Sequence, residues 1–93
     1  MELWVRSQDK RILQKVDNIY LNANYDNRRI CTNDSRDYES DLGEYKTKER
    51  AIEILDEIQN KMLNGVFAKK INGLGEELDL IPNPILIYNM PEK

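Results

Sequence analysis

The chain has 93 residues, of which 33% are charged, and its 14 basic and 17 acidic side chains leave a net charge of −3. This mildly acidic balance argues against a general nucleic-acid binder, which normally carries a basic face. The chain has no histidine and one cysteine. The commonest general base and metal ligand is therefore missing, and no internal disulfide is expected. We expect no catalytic residue, no metal and no cofactor.

The distribution of charge also bears on the compartment. Glu2 and Arg6 interrupt the apolar start that a secretory signal needs. No run approaches the roughly 18 apolar residues that indicate a membrane span. We therefore expect a cytoplasmic protein without membrane contact, formed as a single domain over residues 1–93.

Short segments with alternating apolar residues fill the first half of the chain. Asn and Asp separate several of them, and these residues tolerate the positive φ of tight hairpin turns. The expected strands are Leu3–Val5, Ile12–Val16, Ile19–Tyr25, Arg29–Thr32 and Tyr38–Tyr45, with turns at Asp17-Asn18 and Asp26-Asn27. Leu3 and Val5 then share one face of the first strand, and Trp4 and Arg6 share the other. Such a succession predicts an antiparallel meander.

The apolar period then changes from two to about 3.6 residues, which predicts a helix from Lys48 to Leu63. Thr47 is a suitable N-cap, and Asn64-Gly65 is a stop signal. The apolar face is expected to consist of Ala51, Leu55, Ile58 and Met62, widened by Ile52 and Ile54.

Residues 66–84 form an irregular insertion in this prediction, with one or two further helical turns as an alternative for Val66–Ile71. The apolar run Ile85–Tyr88 predicts a last strand that is buried on both faces or central in the sheet. The expected fold is α+β: an antiparallel sheet of about five or six strands, with one principal α-helix packed on one face. The expected order is β-β-β-β-β-α-β.

Three motifs resemble those of a family of short, largely uncharacterised proteins from prophages, phages and other mobile elements of Gram-positive bacteria. They are "RSQDK" after the first strand, "LGEYKTKERAIEILDEIQ" at the strand-to-helix junction, and the final "YNMPEK". The resemblance implies an accessory or counter-defence factor that binds a host component. It supplies no catalytic residue.

The stretch Arg6-Ser7-Gln8-Asp9-Lys10 has two interpretations. It is a polar turn in which Ser and Asp bind nearby main-chain groups, or it is part of a ligand site. For the site, a tryptophan and a guanidinium on one strand face can hold a base by stacking and a phosphate by a bidentate bond. The candidate ligand-binding residues are Trp4, Arg6, Gln8, Lys10, Arg28 and Arg29.

Cys31 is expected to be a small buried side chain, because no histidine can activate it. The acidic residues Asp34, Asp37, Glu39 and Asp41 fit no calcium loop, so a solvated face is expected there.

Three functions stay open at this point. The first is a binding protein that sequesters a small anionic, nucleotide-like host molecule, and the second is an inhibitor that covers a host protein. A small enzyme without histidine or metal chemistry ranks last. A homodimer or higher oligomer is also expected, because short strands leave sheet edges open and residues 66–84 carry much apolar surface.

Overall fold

Strands and one long helix follow each other as the sequence predicts. The computed structural model describes residues 2–72 and 85–93. The elements in these ranges are β1 (Glu2–Arg6), β2 (Leu13–Val16), β3 (Tyr20–Asn22), β4 (Arg29–Asn33), β5 (Glu39–Glu44), α1 (Lys48–Asn72) and β6 (Ile85–Asn89). Their order and the α+β class confirm the prediction. The expected irregular stretch lies outside the described residues from position 73 to 84.

The strands form two three-stranded sheets, and in this respect the expected single sheet is wrong. The first sheet has the order β2-β1-β6 and the second has the order β3-β4-β5. β1 and β6 run parallel, with Leu3 opposite Leu86 and Val5 opposite Tyr88. The other pairs are antiparallel. Because β2 and β6 occupy the two edges of β1, the meander divides between β2 and β3.

Asn18 explains why the predicted Asp17-Asn18 hairpin does not form. Its side-chain oxygen accepts a hydrogen bond from the Asn33 main-chain N–H at 2.9 Å, and its side-chain nitrogen donates to the Asn33 carbonyl at 3.0 Å. The Thr32 hydroxyl donates to the Asn18 carbonyl at 2.6 Å. Asn18 is therefore bonded to the end of β4 and is not free to form a tight turn. Residues 17–19 connect the first sheet to the second.

The third strand is shorter than predicted, because a 3₁₀ helix, Ala23–Tyr25, replaces its second half. The Asn22 side chain accepts a hydrogen bond from the Asn24 main-chain N–H at 2.9 Å, which caps this turn. Asp26 and Asn27 follow with φ values of 55° and 58°. The turn predicted at these two residues is therefore confirmed.

One buried cluster joins both sheets and the helix. Leu3 and Val5 of β1 are buried and Arg6 is exposed, as the alternation predicts. The buried apolar residues are Leu3, Val5, Val16, Ile30, Leu42, Tyr45, Ala51, Ile54, Ile58, Tyr88 and Met90. The predicted helix face is therefore correct at its centre. Leu55 and Met62 lie half-buried at its border, whereas Ile52 is exposed.

Two predictions for the second half of the chain are wrong. Helix α1 continues through Asn64-Gly65 to Asn72, since one interior glycine costs only about 1 kcal/mol. The extra helical turns considered for Val66–Ile71 are therefore present. Strand β6 is an edge strand in which Ile85 and Ile87 are 62% and 57% exposed, so it is buried on one face only.

Candidate functional site

Ser7 and Asp9 form the polar turn that is one of the two interpretations of Arg6-Ser7-Gln8-Asp9-Lys10. The Lys10 N–H donates to the Ser7 carbonyl at 2.8 Å, and the Ser7 hydroxyl donates to the Asp9 carboxylate at 2.6 Å. The same carboxylate oxygen accepts from the Arg11 N–H at 3.1 Å. These hydrogen bonds, that from Ser7 first, hold the pKa of Asp9 below its usual value. Turn formation thus explains both residues.

Gln8 links three distant parts of the chain. Its main-chain N–H donates to the Leu42 carbonyl at 2.8 Å. Its side-chain oxygen accepts from the Glu44 N–H at 2.9 Å, and its side-chain nitrogen donates to the Glu44 and Glu92 carbonyls, each at 2.9 Å. Both donors of the amide are therefore occupied, and Gln8 joins β5 to the C-terminal residues.

Residues 91–93 also accept hydrogen bonds from Tyr45, which lies between β5 and α1, and from Arg50 in the first turn of α1. The buried Tyr45 hydroxyl donates to the Pro91 carbonyl at 2.8 Å, and burial raises the pKa of Tyr45 to about 12. The Arg50 guanidinium donates to the main-chain oxygen of Lys93 at 3.0 and 2.8 Å. We call this cluster the tail junction: Gln8, Gly43, Tyr45, Arg50 and residues 90–93. The three motifs of the sequence converge there.

Gly43 allows this close packing. A Cβ atom at this position would lie 2.8 Å from the Tyr45 hydroxyl oxygen and 3.2 Å from the Gln8 Cβ. Any larger residue therefore forces Tyr45 or Gln8 to move. The register between β4 and β5 also shifts beside Gly43, between Ile30 and Cys31.

A cavity of about 190 Å³ lies beside Gln8, between the turn that contains Ser7 and Asp9 and strand β5. Arg29 is the one basic residue among its described lining residues, which also include the acids Asp9, Asp41 and Glu44. The Arg29 guanidinium contacts Glu44 at 2.7 Å and Asp41 at 3.1 Å. It also lies 3.5 Å from the centre of the Tyr25 ring. Its charge is therefore compensated, and the hydrogen bond to Arg29 lowers the pKa of Glu44.

The other three basic candidates make contacts that are longer or more exposed than those of Arg29. Arg28 donates to the Tyr45 carbonyl at 3.3 Å and lies 3.8 Å from the Glu44 carboxylate. Lys10 lies 3.1 Å from Glu92, with both side chains largely exposed. Arg6 donates to the Lys10 carbonyl at 3.4 Å. The basic candidates therefore contact carboxylates or main-chain carbonyls of the protein itself, which leaves less of their charge for a bound anion.

Trp4 and Arg6 lie on a different surface, which we call the open face: Trp4, Arg6, Leu13, Lys15, Ile85 and Ile87 on the side of the first sheet opposite its buried residues. Trp4 lies between Lys15 and Ile87, and Arg6 lies opposite Leu13. The Trp4 indole N–H donates to the Glu2 carboxylate at 3.0 Å. Sequence reasoning missed Ile85 and Ile87, because an uninterrupted apolar run does not show which side of a strand is covered.

Cys31, Glu39 and Asp41 bring potential metal-binding atoms within 4.8 Å of one another. Cys31 is buried, and its thiol donates to the Asp41 carboxylate at 3.4 Å. Burial first, and this hydrogen bond second, raise the pKa of Cys31 to about 12. Asn22 and Tyr20 donate to the Glu39 carboxylate. The cluster is a hydrogen-bonded network around a protonated thiol, and the prediction of a buried Cys31 is confirmed.

Within the described residues, no helix combines the length and the apolar character needed to cross a membrane. Comparison of the chain with protein-family models, curated proteins and solved structures finds no match in any of the three. The resemblance to mobile-element proteins therefore stays a prediction from its three motifs.

Proposed function

We propose that this protein is a non-enzymatic binding module that docks on another protein through the open face. The observation that supports this proposal most directly is the contrast between the two sides of the first sheet. Leu3, Val5 and Val16 are buried on one side, whereas Leu13, Ile85 and Ile87 remain 44% to 62% exposed on the other. Ile87 lies beside Trp4, and an exposed apolar patch of this kind is typical of protein–protein contact surfaces.

The charges around the cavity favour a protein partner over a small anion. Asp9, Asp41 and Glu44 line the cavity together with Arg29, the one basic residue among its described lining residues, so an anionic ligand would meet more negative than positive charge. Gln8, a second candidate ligand contact, already uses both of its side-chain donors within the chain. The proposal therefore takes the second of the two binding functions that the sequence left open.

The chemistry of the open face indicates what kind of surface it fits. Tryptophan and arginine are enriched where protein interfaces carry most of their binding energy, and Trp4 and Arg6 both belong to this face. Arg6 and Lys15 place two positive charges on this face, against the one negative charge of Glu2, which lies opposite Ile85 and accepts the Trp4 indole hydrogen bond. The complementary partner has a flat apolar centre and an acidic margin, and the motif resemblance supports a bacterial host protein in that role.

Site-specific photo-crosslinking in the cells that make the protein tests this proposal. A photoreactive residue at Lys15 should yield one discrete crosslinked protein, whereas the same residue at Asp26, in a turn of the second sheet, should not. Leu13→Lys should reduce the yield at least several-fold, and Ile52→Lys on the helix should leave it unchanged. Equal crosslinking from Lys15 and Asp26 would refute the proposal. Stoichiometric retention of a small anion in native mass spectrometry would also refute it.

A further inference from the structure

Strand β6 has the least protected edge among the described strands. Exposed sheet edges are usually guarded by charge or by short length. At the other edges, β5 carries Glu39, Asp41 and Glu44, β2 carries Lys15, and β3 has three residues. β6 has five residues, Ile-Leu-Ile-Tyr-Asn, and none of them is charged. Its main chain is therefore the most favourable edge for an additional strand.

The two sides of the β6 edge differ in chemistry. Ile85 and Ile87 project on the open face. On the opposite side, the Tyr88 hydroxyl donates to the exposed Glu57 carboxylate of α1 at 2.7 Å. Glu53, one helical turn earlier, pairs with Arg50 at 3.2 Å, so Glu57 is the carboxylate that the structure places beside β6. An added strand would meet isoleucine side chains on one face and the Glu57 carboxylate on the other.

We infer that the β6 edge binds an extended segment of the partner protein as an additional strand, and that this segment alternates apolar with basic residues. The inference deepens the proposed function and rests on it. In this mode of recognition, main-chain hydrogen bonds provide affinity and alternate side chains provide specificity. The apolar residues of the segment pack beside Ile85 and Ile87, and a basic residue on its other side faces the Glu57 carboxylate.

Charge also argues against a second copy of this chain as the occupant. Antiparallel self-pairing of β6 about a two-fold axis at Ile87 would place both copies of α1 on the same side of the joined sheet. Both Glu57 carboxylates would then lie on that side, and like charges on one face of a sheet destabilise pairing. A basic segment from another protein instead gains from the same carboxylates.

A labelled synthetic peptide in which valine and lysine alternate tests the inference by fluorescence anisotropy. It should bind, and the same peptide with glutamate in place of lysine should not. Alternate residues of a strand direct their N–H groups to opposite edges. N-methylation of all the valines or of all the lysines should therefore abolish binding in one case and preserve it in the other. Equal effects of the two methylated peptides would overturn strand addition.

Variants of the protein separate this inference from the proposed function. Ile87→Lys should weaken peptide binding at least tenfold, and Ile52→Lys on the far side of the helix should not. Glu57→Gln keeps an acceptor for Tyr88 and should weaken binding about twofold to fivefold, as expected for an exposed ion pair. A protein crosslinked from Lys15 without peptide binding would refute the edge and leave the function standing. If the protein forms a dimer that Ile87→Lys abolishes, the strand added at the β6 edge is a second copy of this chain, and the inference of a foreign segment is overturned.

Discussion

Replacement of Gln8 by alanine should destabilise the fold well beyond a usual surface substitution. The change removes three side-chain hydrogen bonds, to the Glu44 N–H, the Glu44 carbonyl and the Glu92 carbonyl. Each such bond contributes about 0.5–1.5 kcal/mol net. Glu44 and Glu92 lie near the surface, where water replaces part of the lost bonding, so we expect a loss of about 2 kcal/mol. Urea denaturation should show a lower midpoint with an unchanged slope.

Gln14→Ala is the matched control, because the Gln14 side chain makes no hydrogen bond within the described part of the chain. It should change the free energy of unfolding by less than about 0.5 kcal/mol. Gln8→Glu should be at least as destabilising as Gln8→Ala, since a carboxylate would face the carbonyl oxygens of Glu44 and Glu92. A Gln8→Ala variant as stable as Gln14→Ala would refute the account of the tail junction.

Three further predictions concern the packing around the tail junction and the core. Gly43→Ala should lower the free energy of unfolding by about 1–3 kcal/mol, because its Cβ has no room beside Tyr45. Burial raises the pKa of Tyr45 from its usual value near 10 to about 12, so the folded state favours the neutral phenol. The contribution of this phenol to stability should therefore be complete below pH about 10 and be lost as the pH rises towards 12. Tyr45→Phe should reduce this alkaline loss, measured by thermal melts across that range. Cys31 is buried with a raised pKa, so a thiol reagent should modify it only at the rate of unfolding, and rapid labelling of the native protein would contradict its placement.

The features that the sequence predicted correctly depend on neighbouring residues. Alternation along β1 gives the buried face of Leu3 and Val5, because successive side chains of a strand point to opposite sides. The helix start is equally local. The Thr47 hydroxyl accepts a hydrogen bond from the Arg50 N–H at 3.1 Å, as an N-cap does.

The features that the sequence did not predict depend on pairing between distant residues. Alternation shows which face of β1 is buried, but it does not show which strands lie at its edges. The parallel register of Trp4 with Ile87 spans most of the chain and has no local signal. The side chain of Asn18 similarly favours a turn on its own, whereas in the fold it binds the end of β4.

The candidate site shows the same division at the level of single residues. Gln8 and Arg29 have the polar chemistry of ligand contacts, and each is occupied by groups that only the fold brings near it. Among the described residues, Arg6 makes only a long hydrogen bond, to the Lys10 carbonyl at 3.4 Å. Chemistry alone therefore identified residues able to make strong polar contacts. It did not show which contacts the protein itself would supply.

The convergence of the three motifs changes what their resemblance implies. Gln8 of the first motif and Tyr45 of the second both donate hydrogen bonds to residues of the third, so these contacts hold the three motifs together in the fold. A chain that shares the motifs then shares a way of holding its C-terminal residues, whatever it binds. The proposed contact surface instead relies on Ile85 and Ile87, which lie outside the three motifs. Related proteins with the same tail junction and different residues at these two positions should therefore share the fold and recognise different partners.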